Sequence, residues 1–121
     1  MPDIFTQGLT TNTRQATVVL PFDNEASVII RHYSQALPLT DFTRFVLTGI
    51  GSSVIDSVSD FGSIRMGSLT GEIILNLSEF INLTGEFQTK LVGYSPDNPN
   101  GVVLWHPLIP RARVQINVIR V

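Results

Sequence analysis

The sequence contains no cysteine, which excludes disulfides, thiolate metal sites and a cysteine nucleophile. Charge is also sparse. Charged residues make up 15% of the 121 positions, against roughly 25% in an average soluble domain. The eight cations include a single lysine, Lys90, and run from Arg14 to Arg120 without gathering, and the formal net charge is −2. Nucleic-acid binding needs a basic face to neutralise phosphates, so this distribution argues against it. Apolar runs stop at about four residues, as in Val102-Val103-Leu104-Trp105, whereas a membrane-spanning helix needs ~20. The start, Met-Pro-Asp-Ile-Phe, lacks the charged segment and apolar run of a signal peptide. The expectation is a protein made in a cytoplasm, not secreted and not bound to a membrane.

What is present is short-period alternation. From Gly85 to Ser95, Phe87, Thr89, Leu91 and Gly93 share one face, while Glu86, Gln88, Lys90, Val92 and Tyr94 share the other. A Pro- and Asn-Gly-rich turn follows, and a second strand ends on Trp105, which makes a hairpin with Asn100-Gly101 at its reversal. Further strands are expected over Ala16–Phe22, Ser27–Tyr33, Thr43–Gly49, Ser53–Ser57, Phe61–Met66, Glu72–Leu77 and Arg113–Val121. Leu77–Leu83 is the best helical stretch, a turn or two long. About eight short strands separated by turn signals predict a single all-β, antiparallel β-sandwich. Hydrophobic residues are 43% of the chain, enough for a core in one domain of this size. The domain is expected over 14–121. Residues 1–13, polar and Thr-rich, are expected to form an extended arm, either a frayed end or a segment docking on a neighbour through Ile4, Phe5 and Leu9.

A search for chemistry returns structural readings. His32 and His106 are the two histidines, and no local spacing joins them to carboxylates as a metal site requires. Asp56 and Asp60 lack the remaining oxygen ligands of a calcium loop and suit turn hydrogen bonds. Gly49-Ile50-Gly51 lacks the third glycine and the helix of a dinucleotide site, and neither a phosphate-binding loop nor a nucleophile elbow occurs. Trp105 and Tyr94 could form a sugar-binding platform, but a lone tryptophan in a sandwich more often plugs the core. The expectation is no catalytic residue, no cofactor and no metal, with Trp105 as a core plug.

Between Val18 and Pro107 the order of several segments resembles a known family. These are Thr43-Arg44-Phe45-Val46-Leu47, Val54-Ile55-Asp56-Ser57, Gly71-Glu72-Ile73-Ile74-Leu75-Asn76-Leu77, Gly85-Glu86-Phe87 with Lys90-Leu91, and Tyr94-Ser95-Pro96-Asp97-Asn98-Pro99-Asn100-Gly101-Val102-Val103 with Trp105 and Pro107. In that order they are similar to short virion proteins of tailed bacteriophages and to the N-terminal domain of phage baseplate upper proteins. The resemblance implies an immunoglobulin-like sandwich and a structural, non-enzymatic role in the virion: a tail, neck or fibre-attachment adaptor. It implies other virion proteins as partners, in a homo-oligomeric or symmetric multi-copy assembly. A capsid decoration protein and a carbohydrate-binding module are the alternatives. Low charge and the preference for arginine over lysine suit a surface covered by neighbours, although a surface relying on Ser, Thr and Asn would also account for the low charge.

Overall fold

Residues 8–11, 15–20, 25–52, 54–59, 62–76 and 84–120 are described by the computed structural model. Among them are eleven strands and no helix: β1 (Leu9–Thr11), β2 (Gln15–Leu20), β3 (Glu25–His32), β4 (Gln35–Ala36), β5 (Arg44–Thr48), β6 (Val54–Asp56), β7 (Ile64–Met66), β8 (Glu72–Asn76), β9 (Gly85–Ser95), β10 (Asn98–Trp105) and β11 (Val114–Arg120). One sheet runs β1-β3-β8-β7, with β4 beside β3. The other runs β2-β11-β9-β5-β6, with β10 beside β9. Because side chains alternate along a strand, one face of each sheet can be wholly apolar. Val28 and Ile30, Ile73 and Leu75, Phe45 and Leu47, Leu91, and Ile116 and Val118 fill a single core between the sheets. The helical stretch expected at 77–83 lies outside the described residues.

The chain enters in one sheet and continues in the other. β1 pairs antiparallel with β3, then β2 runs parallel to β11 from Gln15 opposite Gln115 to Leu20 opposite Arg120. This entry, with β3, β8 and β7 in one layer and β11, β9, β5 and β6 in the other, gives the strand order of an immunoglobulin-like sandwich. Two expectations change here. The sandwich is not antiparallel throughout, since β2–β11 is a parallel pair. The stretch 1–13 is also not all arm: Leu9–Thr11 is a strand, with Leu9 and Thr11 buried. Three residues are too few to show periodicity, and only pairing with β3 gives them a fixed face. Tyr33, at the β3–β4 turn, holds φ 58°, uncommon for an aromatic residue. Its amide donates to the Gly8 carbonyl at 2.7 Å, and its ring lies where a Cβ on Gly8 would come within 2.9 Å.

The long strand β9 organises the second sheet. β5 flanks one side of it, while β10 and then β11 share the other. The β9–β10 reversal lies at Pro96-Asp97, next to the Ser95–Asn98 pair, and not at Asn100-Gly101. Gly101 instead occupies a bulge between Asn98 and Val102, with φ 92°. A Cβ there would meet Val92 Cγ1 at 2.6 Å, so both the angle and the space call for glycine. A larger interruption separates β10 from β11. Trp105 pairs with Leu91 and Val114 with Thr89, so Lys90 alone spans on β9 what residues 106–113 span on the other side.

Candidate interaction site

Residues 106–113 form an ordered knob. The Ile109 amide donates to the His106 carbonyl at 3.0 Å, and the Ala112 amide to the Ile109 carbonyl at 3.0 Å, which makes two consecutive turns. Pro107 and Pro110 each take the second position of their turn, where a fixed φ near −65° is favourable. The His106 amide donates to the Ala112 carbonyl at 2.8 Å and closes the neck, while His106 Nδ1 accepts the Leu108 amide at 3.0 Å. Ala112 is fully buried and Ile109 packs against the core, so the knob is rooted. Leu108, between the prolines, is 83% exposed, the highest value among the exposed large hydrophobic residues that are described. Arg111 and Arg113 are exposed beside it.

Beneath the knob the core is stitched by hydrogen bonds. Trp105 Nε1 donates to Thr89 Oγ1 at 2.9 Å, and that hydroxyl donates to the Val114 carbonyl at 2.9 Å. All three residues are fully buried. The relay satisfies polar groups at the point where the ladder is broken, which low-dielectric burial makes necessary. From β1, the Thr11 hydroxyl donates to the Arg113 carbonyl at 3.5 Å.

A second surface feature lies at the turn between β7 and β8. Pro38, Leu39, Met66 and Leu69 line a groove of about 280 Å³, with Leu39 buried at its floor and Leu69 58% exposed. Glu72 also lines it. Its Oε2 accepts the Ser27 hydroxyl at 2.6 Å and its Oε1 accepts the Leu69 amide at 3.4 Å. The Ser27 hydroxyl bond, then the Leu69 amide, hold its pKa below the ordinary glutamate value, with Arg65 adding a weaker, longer-range effect. Arg65 Nη1 itself donates to Glu25 at 2.9 Å. The neighbouring turn residue Asp41 is exposed.

Apart from His106 and Trp105, the residues singled out from the sequence fall elsewhere. Ile4 and Phe5 lie outside the described residues. Leu9 is 1% exposed inside the sandwich, so it serves the core and not a partner, because pairing of β1 with β3 turns it inward. Trp105 is 0% exposed. His32 and Tyr33 set their rings 4.6 Å apart at 57°, while His106 serves the neck of the knob. Asp56 Oδ1 accepts the Val58 amide at 3.0 Å, a turn bond, and its Oδ2 pairs with Arg44, whose Nε lies at 2.9 Å. The bond from Arg44 lowers the Asp56 pKa and raises that of Arg44. The same guanidinium carbon lies 5.2 Å from the centre of the Tyr94 ring, within cation–π range. Among the described residues, no three His, Asp or Glu side chains gather as metal ligands, and no helix is long and apolar enough to cross a membrane.

Sequence reasoning missed both the knob and the groove. The signal for the knob was present in His106-Pro107-Leu108-Ile109-Pro110-Arg111, where prolines three apart suit two turns in tandem. Leu69 stands between Gly67 and Gly71, a turn signature, but nothing local reveals that Pro38 and Leu39 approach it.

No protein-family model matches the chain, and no curated protein matches it. Solved structures similar to it include the EC1-3 region of Drosophila N-cadherin, at 12% identity and a TM-score of 0.45. That match covers 95% of this chain and 35% of the cadherin chain. Murine CRIg is similar at 12% identity and a TM-score of 0.38, over 93% of this chain and 98% of that one.

Proposed function

We propose that this protein is a non-catalytic structural component of a tailed-phage virion. It acts as an adaptor in the tail, neck or fibre-attachment region by docking to other virion proteins in a symmetric, multi-copy assembly. The phage context rests on the resemblance of the ordered segments between Val18 and Pro107. The docking mode rests on one observation: large apolar side chains stand exposed on turns and edges, as Leu108, Val58, Val54 and Leu69 do, on a chain that carries little charge. Charge-depleted patches with apolar centres are the compositional mark of interfaces. Asp56, Glu72 and His106 serve turns, and Arg44–Asp56 and Arg65–Glu25 are ion pairs, which supports a role without chemistry. The sugar-platform alternative is weakened because Trp105 is buried and Tyr94 has Arg44 over its ring.

The test is mass-spectrometric quantification of the chain in purified particles, with heads and tails separated. Recovery with tails, in a small multiple of a ring symmetry, supports the adaptor. Recovery with heads in hundreds of copies replaces it with capsid decoration. Absence from particles overturns the virion assignment.

A further inference from the structure

We propose that the knob of one copy docks into the β7–β8 groove of a second copy, with Leu108 seated between Met66 and Leu69 and the knob arginines facing Glu72 and Asp41. This inference deepens the docking role proposed above, on which it rests, by naming the partner as another copy of the same chain. The groove, at about 280 Å³, falls just below the roughly 300–1,000 Å³ of pockets that enclose drug-sized ligands. Its scale suits one or two aliphatic side chains. Leu108 is a single aliphatic side chain offered on a stiff support, and Pro107 beside it is only partly buried.

Charge matches as well as shape. The groove presents Glu72 in its lining, with the exposed Asp41 next in sequence to Thr40 of the same lining, and the knob presents Arg111 and Arg113. Such complementarity selects the orientation of docking more than it adds affinity. The knob also needs little ordering on binding. Two proline turns, a closed neck and a buried Ala112 already fix its backbone, which reduces the entropic cost of association.

The two features lie on different flanks of the sandwich. The knob rises beside β1 and β11, where Thr11 reaches the Arg113 carbonyl. The groove lies where the β7–β8 turn meets the β4–β5 connection, on the side of β3 away from β1. A contact between unlike surfaces is heterologous, so it repeats and either closes into a ring or extends as a filament. Ring closure is the geometry that an adaptor in a symmetric assembly requires. Contacts of modest strength suffice there, because each copy is held at two points.

The experiment is sedimentation velocity of the full chain from micromolar to millimolar concentration, with Leu108→Asp, Leu69→Asp and Arg111→Glu variants. All three positions are exposed, and circular dichroism melts verify that each variant is folded. The wild type is expected to self-associate, with each leucine variant weakened at least about tenfold. Arg111→Glu is expected to weaken association and reduce its sensitivity to salt. Mixing Leu108→Asp with Leu69→Asp is the decisive arm. Each variant keeps one intact half, so the mixture forms a one-to-one dimer that cannot extend. A wild type that stays monomeric at millimolar concentration overturns the proposal, as do leucine variants that associate like wild type or a mixture that forms no dimer. Particle quantification is independent of this result, so a virion protein that stays monomeric loses the inference and keeps its function.

Discussion

The base and the tip of the 106–113 knob are only a few residues apart, yet they obey opposite rules. At the base, Trp105, Thr89 and Val114 are wholly buried, and each polar group along the relay has a partner. At the tip, Leu108 is 83% exposed and contacts with the core have ended. A break in a sheet ladder is destabilising unless its orphaned groups are satisfied. Here the relay offsets that cost from below, and the two proline turns offset it from within. The Gly101 bulge, on the strand β10 that leads into the knob, is a useful contrast. It also adds residues to one strand, but it is absorbed by a glycine and the Ser95 hydroxyl, which accepts the Asn98 amide at 3.2 Å, and it projects no large apolar side chain. An interruption with a buried foundation can carry an apolar residue outward at little cost to stability.

That contrast predicts a graded response to mutation. Trp105→Ala is expected to destabilise by about 3–5 kcal/mol in urea titration, through a large cavity and the loss of the hydrogen bond that the Thr89 hydroxyl accepts. Thr89→Val keeps the shape but removes both the acceptor for Trp105 and the donor to Val114, and is expected to cost about 1–3 kcal/mol. If Thr89→Val proved neutral, the relay would be incidental to the foundation.

The Arg44–Asp56 pair supplies a smaller, pH-dependent contribution away from the knob. The Asp56 pKa is lowered in the folded protein, so the unfolded chain binds the proton first as pH falls. The stability from this pair is therefore present above the ordinary carboxylate range, near pH ~4, and is lost as pH falls through the folded value. Asp56→Asn is expected to lower the melting temperature at neutral pH by more than it does in acid. An equal change at both pH values contradicts the assignment. Smallest of all, Leu108→Asp is expected to change stability by no more than about 0.5 kcal/mol, as a surface substitution does. A loss comparable to that from Trp105→Ala would erase the distinction between base and tip.

How far the sequence reveals this structure depends on the length scale of each signal. Alternation over five or more residues placed Phe45 and Leu47, Ile73 and Leu75, and Thr89 and Leu91 on their buried faces, and those strands define the sandwich. Three-residue β1 carries no period, so Leu9 resembled an isolated apolar point in a polar arm. The parallel pairing of β2 with β11 depends on segments about a hundred residues apart in sequence, which no local pattern encodes. Asn100-Gly101 has the composition of a tight reversal, but Pro96-Asp97 takes that place, and the glycine serves a bulge of the same backbone angle. Near Trp105, burial was expected from residue type alone. Its hydrogen-bonded partner was not, because Thr89 is one of many threonines. The groove needed the fold of the first sheet, since the β4–β5 connection and the β7–β8 turn meet only where both lie beside β3, through the Ile30 bonds to Gly71 and Leu37.

The account turns on the knob being a rigid extension of the core, and amide hydrogen exchange of the full chain tests this most directly. The amides of His106, Ile109 and Ala112, all hydrogen-bonded within the knob, are predicted to exchange as slowly as those of β10 and β11, while Arg111 exchanges fast. Exchange of all four at the rate of an unstructured chain would contradict the account, because the exposed leucine would then sit on a loose loop with nothing holding it in position to dock.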